Sequence, residues 1–298
     1  MLHRHSVRPS KKLGQYFLID KNILTKIIKA SGLSKKDLVI EIGPGIGTIT
    51  EKLAQKAGYV IAIEKDKKMI EVLKETIGCY KNVEIIQGDI LKFFQEGDIG
   101  ECRLQVTKNY KVVANLPYYL TSPAIRMFLE DEDTYPHLRC KPSEMILLIQ
   151  KEEAERICAK PGQMNVLSVI VQFYGKPEII DFVPRRASWP VPKVDFAVLK
   201  ISQISTPQIS QMEKELLFKI VKAGFSSCRK QLVNTLSEKL FIQKKQTKKI
   251  LLKTGINPTV RAQELTIREW MRLTKLISKS KLFQIISNQA QIPKSKKR

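Results

Sequence analysis

Asn115-Leu116-Pro117-Tyr118 closes the short apolar run Val112-Val113-Ala114. An Asn-x-Pro-aromatic turn offers a side-chain amide oxygen and a backbone carbonyl to an exocyclic amine, beside a ring able to stack on a base. About 70 residues earlier lies a glycine turn, Glu41-Ile42-Gly43-Pro44-Gly45-Ile46-Gly47. Glycine lets a backbone approach a ligand closely, and its amides, with the N-terminus of a following helix, form a polar cradle. Glu64 comes 21 residues after Gly43, a spacing that suits two ribose hydroxyls. Gly88-Asp89 ends a third apolar run, where the carboxylate could accept from an adenine amino group. Alone, a G-x-G-x-G turn is a weak signal, and Thr48-Ile49 replaces the last glycine of a dinucleotide fingerprint. Three successive strand ends carrying Gly, Glu and Asp point to an adenosyl cofactor, and with the Asn turn to methyl transfer onto a nucleic-acid amine.

That chemistry asks for positioning rather than a strong base. A sulfonium donor is already activated, whereas the lone pair of an adenine N6 is delocalised into its ring. Hydrogen bonds from N6 to Asn115 Oδ1 and the Leu116 carbonyl would favour a pyramidal nitrogen and aim its lone pair. Pro117 stiffens the turn, and stacking on Tyr118 would contribute roughly 1–3 kcal/mol. A base in such a pocket has left its stack, which is least costly in single-stranded RNA.

The elements that must hold these residues alternate. Leu38–Ile42, Tyr59–Ile63, Val83–Ile86, Val112–Ala114, Met145–Ile149 and Ile179–Val183 read as strands, with helical periodicity over Thr48–Lys56, Lys67–Ile77 and Pro123–Glu130. This predicts an α/β domain with a mostly parallel sheet. Pro184–Pro192 reads as a Pro/Arg-rich loop and Val194–Ile201 as a closing strand. A Ser/Gln/Pro linker, Gln203–Ser210, precedes purely helical signals at Met212–Ala223, Cys228–Lys239, Lys248–Thr254 and Ile267–Ser278. The expected division is 1–202 (with 1–12 a basic flexible tail), a linker at 203–210, and a helical domain at 211–298.

Charge sharpens the division. Residues 201–298 carry 21 Lys/Arg against five Asp/Glu, a surplus of 16, whereas the first 200 have a surplus of only seven. A basic excess concentrated in the helical third predicts a polyanionic partner, and Arg229, Lys230, Lys244, Lys245, Lys248 and Lys249 are candidate phosphate contacts. Five scattered cysteines without a Cys-x-x-Cys pair suggest reduced thiols, and three ill-placed histidines predict no metal site. No apolar run approaches the length of a membrane span, so a cytoplasmic chain with no membrane partner is expected.

These motifs together resemble the KsgA/RsmA family of small-subunit ribosomal RNA adenine dimethyltransferases over nearly the whole length. Lys11-Lys12-Leu13-Gly14-Gln15-Tyr16-Phe17-Leu18 is similar to the family's N-terminal cofactor motif. Phe182-Val183-Pro184 and Pro192-Lys193-Val194-Asp195 resemble its later segment, and Ala223-Gly224-Phe225, Arg229-Lys230 and Arg261–Leu265 its C-terminal motifs. The resemblance implies a Rossmann-like class I methyltransferase domain with a smaller all-helical C-terminal domain. It implies S-adenosylmethionine as cofactor, held by Gln15, Tyr16, Leu18, Gly43, Gly45, Gly47, Glu64, Asp89 and Asn115. Asn115, Leu116, Pro117, Tyr118 and Phe182 would receive the target base. The implied substrate is two adjacent adenines near the 3′ end of small-subunit rRNA, in a late pre-ribosomal particle, approached by a monomer. A large-subunit (Erm-type) methyltransferase and a non-catalytic RNA-binding assembly factor on the same fold are the competing readings. The chain departs from the pattern at Tyr16, usually Asn, at Phe196, usually Ser, at Ser188-Trp189, where a Phe usually follows Ala187, and in a shortened Cys158–Leu167 segment.

Overall fold

A computed structural model describes residues 9–10, 14–94, 109–130 and 140–288. Most of the basic N-terminal tail, Lys11–Leu13, Cys102, all three histidines and the basic C-terminus lie outside the described residues. By their contacts the residues form two units, 1–158 with 174–206, and 159–173 with 207–298. Composition alone divides the chain at 202 and 211; the contacts additionally group 159–173 with the helical part.

The first unit begins with β1 (Phe17–Leu18) and α1 (Lys21–Ser31), followed by β2 (Leu38–Ile42), α2 (Thr48–Lys56), β3 (Tyr59–Glu64) and α3 (Lys67–Ile77). Next come β4 (Val83–Gln87), α4 (Ile90–Phe93), β5 (Tyr110–Asn115), α5 (Tyr118–Leu129), β6 (Glu144–Gln150) and α6 (Lys151–Ile157). Of the strands after α7 (Val166–Tyr174), β7 (Lys176–Val183), β8 (Ser188–Trp189) and β9 (Phe196–Ser202) complete the unit.

Seven strands form one sheet in the order β4-β3-β2-β5-β6-β9-β7. The five from β4 to β6 run parallel, while β9 is antiparallel to both its neighbours. β2 is buried at all five positions, as expected for a parallel strand covered on both faces. Chain order reverses between β2 and β5, and a ligand site belongs at the carboxyl ends of the strands on either side of that switch.

Helix ends explain why the elements stop where they do. Asp20 caps α1 by accepting from the Asn22 and Ile23 amides, and left-handed Gly32 closes it. Asp66 caps α3 and Asp89 caps α4, so two acids at strand ends also start helices. The helix expected from Pro123 instead begins at Tyr118, directly after extended Pro117, and takes Pro123 into its interior. Pro123 has no N–H, so the carbonyl one turn earlier, at Tyr119, loses its helical partner.

The second unit holds most of α7, then α8 (Gln211–Gly224), α9 (Leu232–Leu240), α10 (Lys244–Lys253), α11 (Ile267–Ser278) and α12 (Leu282–Asn288). Capping boxes start α8 at Ser210/Glu213 and α11 at Thr266/Glu269. Its core surrounds fully buried Trp270. Gly224 makes room for that ring, since a Cβ there would stand 2.6 Å from it. α9 begins at Leu232 rather than Cys228, α10 begins four residues before the expected Lys248, and α12 has no sequence-level counterpart.

Candidate active site

A cleft opens at the carboxyl ends of β2, β3, β4 and β5. Gly43 and Gly45 line it, both in the left-handed region (φ 63° and 58°) where only glycine sits without strain. A Cβ on Gly45 would meet the Phe17 ring at 3.0 Å. Gly47 does not line the cleft. It precedes α2 at φ 85°, where a Cβ would lie 2.8 Å from Ile77, so this glycine serves helix packing rather than the cradle.

Glu64, nearly buried at the end of β3, ties the cleft together. One carboxylate oxygen accepts from the Gly45 amide at 3.1 Å, the other from the Asp66 amide at 2.8 Å. Burial raises its pKa against these bonds. Asp66 accepts in turn from the Gln15 side chain at 2.9 Å, which anchors the N-terminal segment over the glycine turn. Asp89 accepts from the Leu91 amide at 3.1 Å and pairs with Lys65 at 2.8 Å. The hydrogen bond to Asp89 raises the Lys65 pKa. Any ligand amine reaching Asp89 therefore competes with an exposed lysine.

At the end of β5, the Asn115 side-chain nitrogen donates to the Tyr16 carbonyl at 2.8 Å. That bond commits Nδ2 to the backbone and leaves Oδ1 as the acceptor available to a ligand amine. Leu116 is buried, its amide donating to the Leu148 carbonyl at 3.0 Å. Pro117 lines the cleft, whereas Tyr118 is 62% exposed and does not. Its neighbour Tyr119 does line the cleft, and desolvation raises its phenol pKa. Phe182, at the end of β7, is half exposed, with the Lys151 ammonium 5.2 Å over its ring, and stands outside the cleft lining. Arg229, Lys230, Lys244, Lys245, Lys248 and Lys249 are exposed residues of the second unit.

Gln15, Tyr16 and Leu18 reach the cleft through a small sheet of their own. β1 pairs antiparallel with β8, matching Phe17 to Trp189 and Leu18 to Ser188, and the two rings stack at 6.4 Å. Two departures from the resembled pattern also prove to be partners: Tyr16 meets Phe196 edge-on at 6.5 Å. Tyr16 thus gives the site its backbone carbonyl and gives its ring to the core.

One buried acid of the cleft has no sequence-level assignment. Glu41, the penultimate residue of β2, is buried, and its Oε2 has no hydrogen-bond partner among the described residues. Burial pushes its carboxyl up to about 8, opposed by the neighbouring Thr50 hydroxyl and reinforced by the nearby Glu64 charge. The signal was a lone acid inside an apolar strand leading into the glycine turn. The donors fit an adenosyl cofactor: a glycine cradle that side chains would fill, carboxylates at successive strand ends, and an unpartnered buried acid suited to a cation. Among the described residues no group of three His, Cys, Asp or Glu is arranged to hold a metal ion, and no helix is long and apolar enough to cross a membrane.

Comparison with known proteins places residues 7–279 in the family model described as ribosomal RNA adenine dimethylase. The chain is 41% identical over 273 residues to ribosomal RNA small subunit methyltransferase A of Dehalococcoides mccartyi strain CBDB1, covering 92% of this chain and 90% of the relative. The protein of the same name from Alkaliphilus oremlandii is 39% identical over 282 residues, covering 94% and 95%. Among solved structures, a dimethyladenosine transferase from Plasmodium falciparum matches at 25% identity and a TM-score of 0.72, covering 88% of this chain and 98% of that one. The 23S rRNA methyltransferase ErmE, at 23% identity and a TM-score of 0.69 over 88% of this chain and 100% of its own, shares the fold.

Proposed function

The chain belongs to the ribosomal RNA adenine dimethylase family, and from that premise we propose how its residues carry out the reaction and on what substrate. It is an S-adenosylmethionine-dependent adenine dimethyltransferase of small-subunit rRNA. The substrate is two adjacent adenines near the 3′ end of that RNA, presented by a late pre-ribosomal particle in the cytoplasm to a monomeric enzyme.

When bound, S-adenosylmethionine supplies an activated methyl group. Gly43 and Gly45 give its backbone cradle, and Glu64 receives the ribose hydroxyls on the lone pairs not used by the Gly45 and Asp66 amides. Asp89, paired with Lys65, would accept from the adenine amino group. Asn115 Oδ1 and the Leu116 carbonyl accept from the target N6, while Pro117 and Tyr118 support the base from the start of α5. Phe182, exposed at the end of β7, closes on the base from outside the cleft. The positive surplus of the second unit supports RNA docking there. The carrying observation is the Asn115–Tyr16 bond, which orients an acceptor at the cofactor cleft before any substrate arrives.

The test is transfer of labelled methyl from S-adenosylmethionine to small-subunit particles lacking these methylations, beside large-subunit RNA, followed by nucleoside analysis. Dimethyladenosine on the small subunit alone is expected. Label only on large-subunit RNA would overturn the substrate. Tight particle binding with no label on either would make the protein a non-catalytic assembly factor.

A further inference from the structure

Phe241 combines two features that the fold does not reward. It occupies the left-handed region (φ 52°, ψ 42°) at the end of α9, and its side chain is 75% exposed. A bulky residue at positive φ is a genuine outlier, and such positions persist where function requires them. Two other helix ends obey the ordinary rule: Gly32 holds the equivalent position after α1, and Gly255 takes positive φ just after α10. Phe241 is neither a residue that suits the backbone nor one that fills a core.

Its surroundings are cationic. Glu238, in the last turn of α9, is paired with both Lys230 and Lys239 at 3.0 Å, which brings those two ammonium groups to the same helix end. Immediately after Phe241, α10 opens with Lys244 and Lys245 and continues with Lys248 and Lys249, all exposed. Its first turn holds no acid, and Gln243 makes no side-chain cap bond. Lysines at that helix end oppose the macrodipole, so helix stability does not explain them.

We infer that Phe241 is a base-stacking residue, through which the second unit grips an unpaired stretch of RNA whose phosphates lie along the α10 lysines. The inference rests on the rRNA-directed function proposed above and adds a contact that the methyl-transfer site does not supply. Duplex RNA presents no free base faces, whereas loops and single strands offer bases to aromatic rings and phosphates to lysines. An exposed ring between cations matches the second kind of RNA.

The decisive experiment compares Phe241→Gly with wild type in thermal unfolding and in binding of a fluorescein-labelled single-stranded oligoadenylate. Glycine suits the left-handed position, so unfolding at the same or a higher temperature is expected. Affinity for the oligonucleotide should fall roughly 5- to 150-fold, the range that loss of one base stack predicts, while Phe241→Trp should retain it. Unchanged affinity in Phe241→Gly overturns the inference. So does a lower unfolding temperature in both Phe241→Gly and Phe241→Asn, which would make the ring a structural element. Loss of small-subunit particle binding with oligoadenylate binding intact would assign the ring to a protein surface instead. Wild-type methyl transfer, measured on the same preparation, separates the two readings: its absence refutes the proposed reaction, while the oligoadenylate comparison still reports on the ring.

Discussion

The Asn115 side-chain amide donates to the backbone carbonyl of Tyr16, 99 residues earlier in the chain, at 2.8 Å. The acceptor is backbone, so the residue type at position 16 is free to vary while the amide stays oriented. Tyr16 uses that freedom to pack on Phe196.

Asn115→Ala should lower methyl transfer roughly 100- to 1000-fold, the usual cost of one aligned polar contact to a reacting group. Cofactor affinity should stay nearly unchanged, because Gly43, Gly45 and Glu64 are untouched. Single-turnover rates and calorimetric titration of S-adenosylmethionine measure the two separately. An equal loss in both would reassign Asn115 to cofactor binding.

Gly14 reaches the same turn from the other side. At φ 64° it lies so close to Pro117 that an added Cβ would stand 2.5 Å from the proline Cβ. Gly14→Ala should cost about 1–3 kcal/mol from the backbone conformation and push the Asn-Leu-Pro-Tyr turn away from the cleft. Urea unfolding should show the first effect and methyl transfer the second. Normal turnover in a destabilised variant would mean that the turn tolerates the shift.

Glu41 makes stability depend on pH with a definite sign. Its carboxyl is raised from 4.5 to about 8 in the folded protein, mainly by burial. Between those values the unfolded chain releases a proton that the folded protein retains, so the contribution of Glu41 to stability is full below pH 4.5 and is lost as pH rises through about 8. The span corresponds to at most about 5 kcal/mol. Glu41→Gln removes this dependence, so its stability advantage over wild type should grow from acid to about pH 8 and then level off. Urea unfolding over a pH series measures it, and a pH-independent difference would contradict the raised carboxyl. A cationic sulfonium in the same cleft favours the carboxylate, so S-adenosylmethionine should release more protons on binding than its uncharged-sulfur product. Calorimetry in two buffers of different ionisation enthalpy reads that difference.

The α10 lysines should act through phosphate charge. Replacing Lys244, Lys245, Lys248 and Lys249 with Gln should reduce the slope of log affinity against log salt by about 0.7 for each lysine that contacts single-stranded RNA. The slope is read from binding at several salt concentrations. A wild-type affinity flat between low and physiological salt would exclude phosphate docking altogether.

The sequence by itself determined the chemistry's ingredients and the local frame that carries them. Apolar runs ending in Gly43, Glu64, Asp89 and Asn115 were legible because strand period, glycine turns and capping acids are properties of neighbouring residues. The helices α2, α3 and α11 have the limits that periodicity predicts, for the same reason. What the sequence left open was decided by contacts between distant segments. The β1–β8 pair has only two residues per strand, too few to show a pattern, and it forms because Phe17 and Trp189 meet. The ties from Gln15 to Asp66 and from Tyr16 to Asn115 span 51 and 99 residues. Gly47 looks like its fellow glycines in sequence, and only the approach of Ile77 shows that it serves packing. The raised Glu41 carboxyl and the exposed Phe241 ring depend on burial, which is set by everything folded around a residue rather than by the residues beside it.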